Sequence, residues 1–322
     1  MRHTPLAFAA LLLAACIPPP DDHETAAPQD SEADTDTDAD SDTDADSDTD
    51  ADCDGLALEM VRIAAGTFWM GSPEGEEGRA DHEDLHQVTL THAYCLGVRE
   101  VSQEQWASAM GASQAYFTEC GAGCPEDSAT WHEAAAFTNA LSEREHLEAC
   151  YSCEGSGAAT YCTPTGDPYT CAGFRLPTEA EWEKAARAGV TGAFTDGGEL
   201  PSGAGEACDP ALELTSHERV SDFAWWCGND TDTTHPGGTL ARSDAGLYDL
   251  SGNVWEWCHD GYTAHNGDAT DPIGAPAAST KVLRGGGFAS YASSLRAAAR
   301  HQSDPTLSNY THGLRVARTA AP

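Results

Sequence analysis

Basic side chains are scarce in this chain, with 16 Lys and Arg against 53 Asp and Glu in 322 residues, a formal charge of −37. Without a basic stripe to neutralise phosphates, a nucleic-acid partner is excluded, and an anionic membrane surface would repel the protein. Long apolar runs are missing too. The stretch from Leu6 to Ala15 is too short to cross a bilayer as a helix. No segment of about 20 to 50 residues repeats, which argues against a solenoid or propeller. Gly285-Gly286-Gly287 lacks the Lys and Ser or Thr of a phosphate loop, and Ser251 before Gly252 lacks the glycine pattern of a nucleophile elbow. No cysteine follows Cys258.

What is present begins with an export signal, since Arg2 and His3 precede the apolar run, and residues 1–15 are expected to be cleaved. Leu13-Ala14-Ala15-Cys16 resembles a bacterial lipoprotein box, which makes Cys16 the lipidated N-terminus and the lipid the membrane anchor. Ile17 after that cysteine, rather than Asp, favours the outer membrane of the cell envelope by analogy with known lipoproteins. From Ile17 to Asp54 there is no Lys or Arg, and Asp recurs at every second position from Asp34 onward. Residues 16–54 are therefore expected to be a disordered, self-repelling tether. Asp50 to Gly55 begins like a calcium loop, but Val61 stands where the bidentate Glu belongs.

Sixteen of the 53 acidic residues precede Gly55 and Arg2 is the only base there, so 37 acids and 15 bases remain in residues 55–322, a balance of −22. About 265 residues suffice for one large domain with its own core. Of the twelve cysteines, eleven remain after Cys16, so at least one is expected to be free or intermolecular. Cys120 and Cys124 sit in a small Gly-rich loop. Cys150, Cys153, Cys162 and Cys171 share an insertion without apolar periodicity, which disulfides would staple. Zinc at Cys150-x-x-Cys153 is the competing reading.

Met60 to Ile63 and Gly66 to Gly71 read as an opening strand pair, and Gln87 to Leu90 as a third strand. Ser102 with Gln105 and Thr178 with Glu181 spell two capping boxes, the first preceded by Val101 positioned to pack on Trp106. On the helix after Thr178, Trp182, Ala185, Ala186 and Gly189 form the buried stripe, leaving Glu179, Glu183 and Arg187 in solvent. A further helix from Trp131 to Glu145 buries Ala134, Phe137 and Leu141. Much of the remainder is turns, so these patterns alone give a mixed α+β exported domain with a tryptophan-rich core.

The runs Gly173 to Trp182 (GFRLPTEAEW), Leu247 to Trp257 (LYDLSGNVWEW), Arg284 to Phe288 (RGGGF) and Gly313 to Arg318 (GLRVAR) resemble the formylglycine-generating enzyme, or sulfatase-modifying factor, family. The resemblance runs from Met60 to Arg318. It implies a compact α+β fold of the elaborated C-type-lectin kind with little regular secondary structure. It also implies calcium ligands at Asp249 and Glu256 by side chain and at Gly252 and Val254 by carbonyl, and two carboxylates with a turn between them are the hard oxygen set that calcium needs. The plainer alternative has Asp249 and Asn253 capping turns while Trp255 and Trp257 fill the core.

Active members hold copper on a cysteine pair, because soft sulfur selects Cu(I) and a hydroxyl does not. Here the first of those positions falls on Ser290 and its histidine neighbour on Tyr291. The segment is shorter than in active members, and an active-site asparagine appears as Thr311. The family's iron chemistry needs H-x3-H-x-E, and His82 and His86 are followed by Val88 in place of Glu. Neither copper nor iron is therefore expected. The resemblance places Phe288, Ser290, Tyr291, Arg296, Arg300, Thr311 and Arg315 around the ligand pocket, the arginines either facing an acidic ligand or pairing with core carboxylates. The expected protein is a lipid-anchored, non-catalytic domain that binds a protein, peptide or glycan. Two alternatives stand beside it: an oxidase with a relocated metal site using a thiol from the Cys150 to Cys171 insertion, and an envelope scaffold crosslinked through the odd cysteine.

Overall fold

A computed structural model describes residues 53–54, 58–275 and 277–321. The expected signal segment, Cys16 and most of the Asp-rich tether lie outside those residues. Among them, short strands numbered in chain order make small sheets. One sheet runs in the order β1 (Met60–Ile63), β4 (Tyr94–Gly97), β13 (Ala317–Thr319), β7 (Phe174–Arg175). Its central strand β4 pairs antiparallel with β1 on one side and β13 on the other, so the two ends of the domain are stitched to the same strand. A second sheet runs β11 (Arg300–Ser303), β10 (Lys281–Arg284), β8 (Trp255–Gly261), β12 (His312–Gly313), and a third runs β2 (Gly66–Met70), β3 (His86–Leu90), β9 (Ala269–Thr270). The hairpin β5 (Tyr151–Glu154) and β6 (Tyr161–Pro164) stands apart.

The opening strands do not pair with each other as the sequence suggests. β1 joins β4 while β2 joins β3, because the chain crosses between sheets at Ala64 and Ala65. The helices are α1 (Gln103–Met110), α2 (Trp131–Arg144), α3 (Glu179–Arg187) and the single turn α4 (Val220–Phe223). Both expected capping boxes form, and Thr130 with Glu133 supplies a third at the start of α2. Each satisfies backbone N–H groups that the first helical turn leaves without partners. Val101 and Trp106 are buried in one apolar cluster with Trp131 and Trp257. Ala134, Phe137 and Leu141 of α2 join them there, as expected.

α3 departs from the expectation. Glu179, Glu183 and Arg187 are buried, and Gly189 lies exposed beyond a helix that ends when Ala188 turns left-handed. The reason is position, since α3 packs against β2 and β3 on one side and β8 and β10 on the other, leaving it no solvent face. Burial of its charged stripe is tolerated because each charge finds an opposite partner. Glu183 pairs with Arg187 and Arg284, and Glu179 with Arg300 and Arg284.

The insertion is stapled as a disulfide unit, Cys150 to Cys171 and Cys153 to Cys162, which removes the zinc reading. Cys120 pairs with Cys124, Cys53 with Cys95 and Cys208 with Cys227. Cys258 is the odd cysteine among the described residues. It is fully buried and cannot reach another chain.

Candidate functional site

The glycine run after β10 builds the centre of the expected pocket. Gly285 and Gly286 both take left-handed conformations, with φ of 94° and 79°. A Cβ on Gly286 would lie 2.8 Å from a Leu295 methyl and 3.0 Å from the Ser294 carbonyl, so only glycine lets the chain turn there. The turn aims Phe288 at the loop before the short helical turn Thr118–Cys120 and brings Ser290 back on itself. Ser290 Oγ accepts from the Gly287 N–H at 2.9 Å, and the Ser290 N–H donates to the Gly287 carbonyl at 2.8 Å. The hydroxyl thus helps close its own turn, and among the described residues no base is hydrogen-bonded to it. Thr311 is similarly local, donating from Oγ1 to Asn309 Oδ1 at 3.0 Å.

Aromatic rings surround this turn. Phe288 meets Phe117 edge-on at 5.3 Å between centroids, Phe117 meets Tyr310 at 5.7 Å, and Tyr116 lies 5.4 Å from Tyr310. Phe288 is buried beneath, whereas Tyr116 is 69% and Tyr310 48% exposed, and Tyr291 nearby in sequence is 53% exposed. Two buried carboxylates hold the loop that carries Tyr116 and Phe117. Glu126 accepts from the Ser113 hydroxyl (2.6 Å) and the Gln114 N–H (2.8 Å), while Asp127 accepts from the N–H groups of Tyr116 (2.7 Å) and Phe117 (3.2 Å). Burial pushes the Glu126 carboxyl up to about 7 and raises Asp127 too, in each case against those hydrogen bonds. Sequence reasoning missed Tyr116, Phe117 and Tyr310. They come from a loop with no periodicity, and only the fold brings them to Phe288.

Of the two arrangements open for the three arginines, the structure shows pairing with core carboxylates. Arg296 reaches Glu76 at 2.6 Å and Glu83 at 2.8 Å, Arg300 holds Glu179 through two nitrogens, and Arg315 forks onto Glu256 with a shortest contact of 2.7 Å. All three are buried. Each has its guanidinium donors committed within the protein, so none is free to hold an acidic ligand.

The proposed calcium ligands lie near one another in a carboxylate-rich part of the core. Asp249 and Asn253 both adopt left-handed backbone, at φ of 57° and 61°, around Gly252, where an added Cβ would strike the Trp225 carbonyl at 2.0 Å. Asp249 Oδ2 accepts from the Gly238 N–H at 2.7 Å. Glu256 accepts from Trp182 Nε1 at 2.7 Å besides its fork with Arg315. A third carboxylate, missed from sequence, is Glu100, which accepts from Asn253 Nδ2 (2.6 Å) and the Val254 N–H (3.0 Å). Burial, with Asp249 and Glu256 beside it, pushes the Glu100 carboxyl well above the usual carboxylate range, and burial raises Asp249 also. Three buried carboxylates around one buried guanidinium leave an excess of negative charge that a proton or a divalent cation would relieve. Among the described residues no three His, Cys, Asp or Glu side chains converge as a metal cage, so any ion here would need backbone carbonyls as well.

The histidines do not form the iron set. His86 opens β3 with Nδ1 2.7 Å from the Asp84 carbonyl and packs on His265 at 4.5 Å, and Val88 is buried in the core. His235 stacks on Trp225 with ring centroids 3.6 Å apart.

Short sheets closed by the domain's own ends, few helices, and a glycine turn beneath an aromatic face define the α+β, elaborated C-type-lectin-like class. Residues 46–320 match the model of the sulfatase-modifying factor enzyme 1-like domain, and the chain belongs to that formylglycine-generating enzyme family. It is 31% identical over 272 residues to the serine/threonine-protein kinase pkn1 of Chlamydia caviae, covering 82% of this chain and 38% of that protein. The chain thus spans well under half the length of that relative. The chaperone protein LppX of Paenibacillus barcinonensis is 29% identical over 271 residues, covering 81% of this chain and 89% of LppX. The formylglycine-generating enzyme of Streptomyces coelicolor is 35% identical over 156 residues, covering 46% of this chain and 48% of the enzyme. Among solved structures, Treponema denticola variable protein 1 superposes with a TM-score of 0.65 at 28% identity, covering 81% of this chain and 94% of the other.

Proposed function

We propose that this protein is a non-catalytic member of its family, anchored by a lipid on Cys16 in the bacterial cell envelope, at the outer membrane, and binding a protein, peptide or glycan at the face around Phe288. The observation that carries the reading is the state of the sulfur. Ten of the described cysteines are paired in disulfides and the remaining one, Cys258, is buried, its thiol pushed up by burial and by the neighbouring Asp260 and Glu179. A thiol that does not ionise and has no partner neither holds Cu(I) nor attacks a substrate. The insertion that was to lend a thiol to a relocated oxidase site is fully disulfide-bonded, which speaks against a thiol from that source. Meanwhile the same glycine turn supports the exposed rings of Tyr116 and Tyr310, and exposed aromatic rings beside polar groups suit binding.

A likeness to a protein named as a chaperone, along most of both chains, supports a role by binding. Among the described residues no helix is long and apolar enough to cross a membrane. A structural calcium ion belongs to the same proposal, held by Asp249 and Glu256 with the Gly252 and Val254 carbonyls. The buried excess of carboxylate over guanidinium, Glu100 included, is what supports it. There the ion would neutralise charge and lock the turn at Gly252. The test is elemental analysis of the purified chain after exposure to copper, iron and calcium, with oxygen uptake on a cysteine-containing peptide. Calcium near about one equivalent, with neither copper nor iron retained, is expected. Stoichiometric copper with oxygen uptake would overturn the reading.

A further inference from the structure

A cavity of about 480 Å³ lies away from the Phe288 face, between the end of β1, the strand β2 and the C-terminal end of α3. That is within the range of small-ligand pockets, about 300 to 1,000 Å³. Its walls are Ile63, Phe68, Trp69 and Val190, with the Trp69 ring 46% exposed. Three cations line it, Arg62, Lys184 and Arg187, and among the described residues no Asp or Glu does. In a domain whose acids outnumber its bases 37 to 15, a cavity lined by cations alone is against the general charge.

The three cations differ in what they already hold. Arg187 is committed to Glu183 and to the carbonyls of Gly71, Thr191 and Gly192. Lys184 has no carboxylate partner among the described residues. It donates to the Gly66 carbonyl at 2.9 Å and lies 5.8 Å from the centre of the Phe68 ring. Burial lowers its ammonium below the ordinary lysine value, the direction expected for a cation short of counter-charge. Arg62 carries no ion pair among the described residues, and its Nε is buried without a hydrogen-bond partner. Arg175 and Arg284 leave Nε without a hydrogen bond as well, but they, like Arg296, Arg300 and Arg315, are buried against a carboxylate, so what sets Arg62 apart is its unpaired charge. An orphaned guanidinium N–H costs free energy that a ligand oxygen would recover.

We propose that this cavity is a binding site for a small organic carboxylate, its carboxylate between Arg62 and Lys184 and its aliphatic or aromatic part against Phe68 and Trp69. A free carboxylic acid and the C-terminal residue of a peptide share that chemistry. Calorimetric titration of the full chain with 3-phenylpropionate and its amide tests it, with N-acetyl-Ala-Phe, as acid and as amide, telling the two sources apart. Each acid is expected to bind at least about tenfold more tightly than its amide, since a hydrogen bond to a charged group is worth about 1.5–3 kcal/mol. Lys184→Met should weaken acid binding about tenfold and leave amide binding unchanged, while Trp69→Ala weakens both, each in a variant that melts as the parent does. A peptide acid tighter than phenylpropionate assigns the site to peptide ends, and the reverse order to free acids. Equal binding of acid and amide, acid binding indifferent to Lys184→Met, or no acid binding up to about 10 mM would overturn the proposal. The metal and oxygen measurements above do not depend on this outcome.

Discussion

Removing the Glu183 carboxylate should be among the most damaging single changes in the domain. Glu183 is fully buried and accepts from the Gly71 N–H at 2.7 Å and from Arg187 Nε at 2.9 Å, and it also pairs with Arg284. Through those three contacts it ties the end of β2, the last turn of α3 and strand β10 together. Glu183→Ala leaves two buried guanidinium groups short of charge, and breaking a buried pair from one side costs about 3–5 kcal/mol. Set against a total stability of about 5–15 kcal/mol, that is a large share. At about 2–4 °C per kcal/mol for a domain of this size, the melting temperature should fall by roughly 6–20 °C. Glu183→Gln keeps the shape and an acceptor for Gly71 but not the charge, and should cost at least about 2 kcal/mol. Glu213→Ala, which breaks a surface pair to Arg219 at 3.8 Å, is the control and should cost under about 0.5 kcal/mol.

The assay is thermal unfolding followed by far-ultraviolet circular dichroism, at matched scan rate for the four proteins. The pH dependence has a sign. Burial alone would raise Glu183, but Arg187 and then Arg284 hold it below the ordinary glutamate value, so its contribution is present above that value and is lost as the pH falls through the folded one. The gap between parent and Glu183→Gln should therefore narrow below about pH 4. A Glu183→Gln protein within about 1 kcal/mol of the parent at neutral pH would refute the view that this network, rather than apolar packing, fixes α3 between the sheets.

The Glu126 carboxyl, raised to about 7 by burial, works in the opposite sense, because the folded state binds the proton more tightly than the unfolded one. Its contribution is full below the unfolded value and fades as the pH rises to about 7, so Glu126→Gln should gain on the order of 1 kcal/mol over the parent at pH 8 and nothing near pH 4, read by urea unfolding at each pH. Chelation of calcium from the purified chain should lower its melting temperature by several degrees, and Asp249→Ala should abolish the response to added calcium. A thiol reagent should label Cys258 only after denaturation, and early labelling in the native state would contradict its burial. Opening the Cys208 to Cys227 bridge with paired serines should cost about 3 kcal/mol, the chain entropy of a loop of that length, seen as a lower urea midpoint.

The sequence by itself determined the family, the α+β class, the capped starts of α1 and α3, the buried face of α2 and the disulfide stapling of the insertion. Those are local signals, in which a cap lies three residues from its partner and an apolar stripe follows the helical period, so no distant residue is needed to see them. It also showed that no cysteine follows Cys258, whereas only the fold set the disulfide-bonded Cys227 beside the glycine turn, its N–H on the Ser290 carbonyl at 3.2 Å. What only the tertiary structure decided was where the charges go. From periodicity, Glu179, Glu183 and Arg187 look solvated, because a helix in isolation puts its polar stripe in water. Between two sheets no such side exists, and Arg284 and Arg300, more than a hundred residues away, become their partners. The same closure decided between the two readings of Arg296, Arg300 and Arg315 in favour of core carboxylates, and it brought Tyr116, Phe117 and Tyr310 to Phe288. It also gathered Glu100 to Asp249 and Glu256, since in a fold built from long loops the contacts that make a site join residues far apart in the chain.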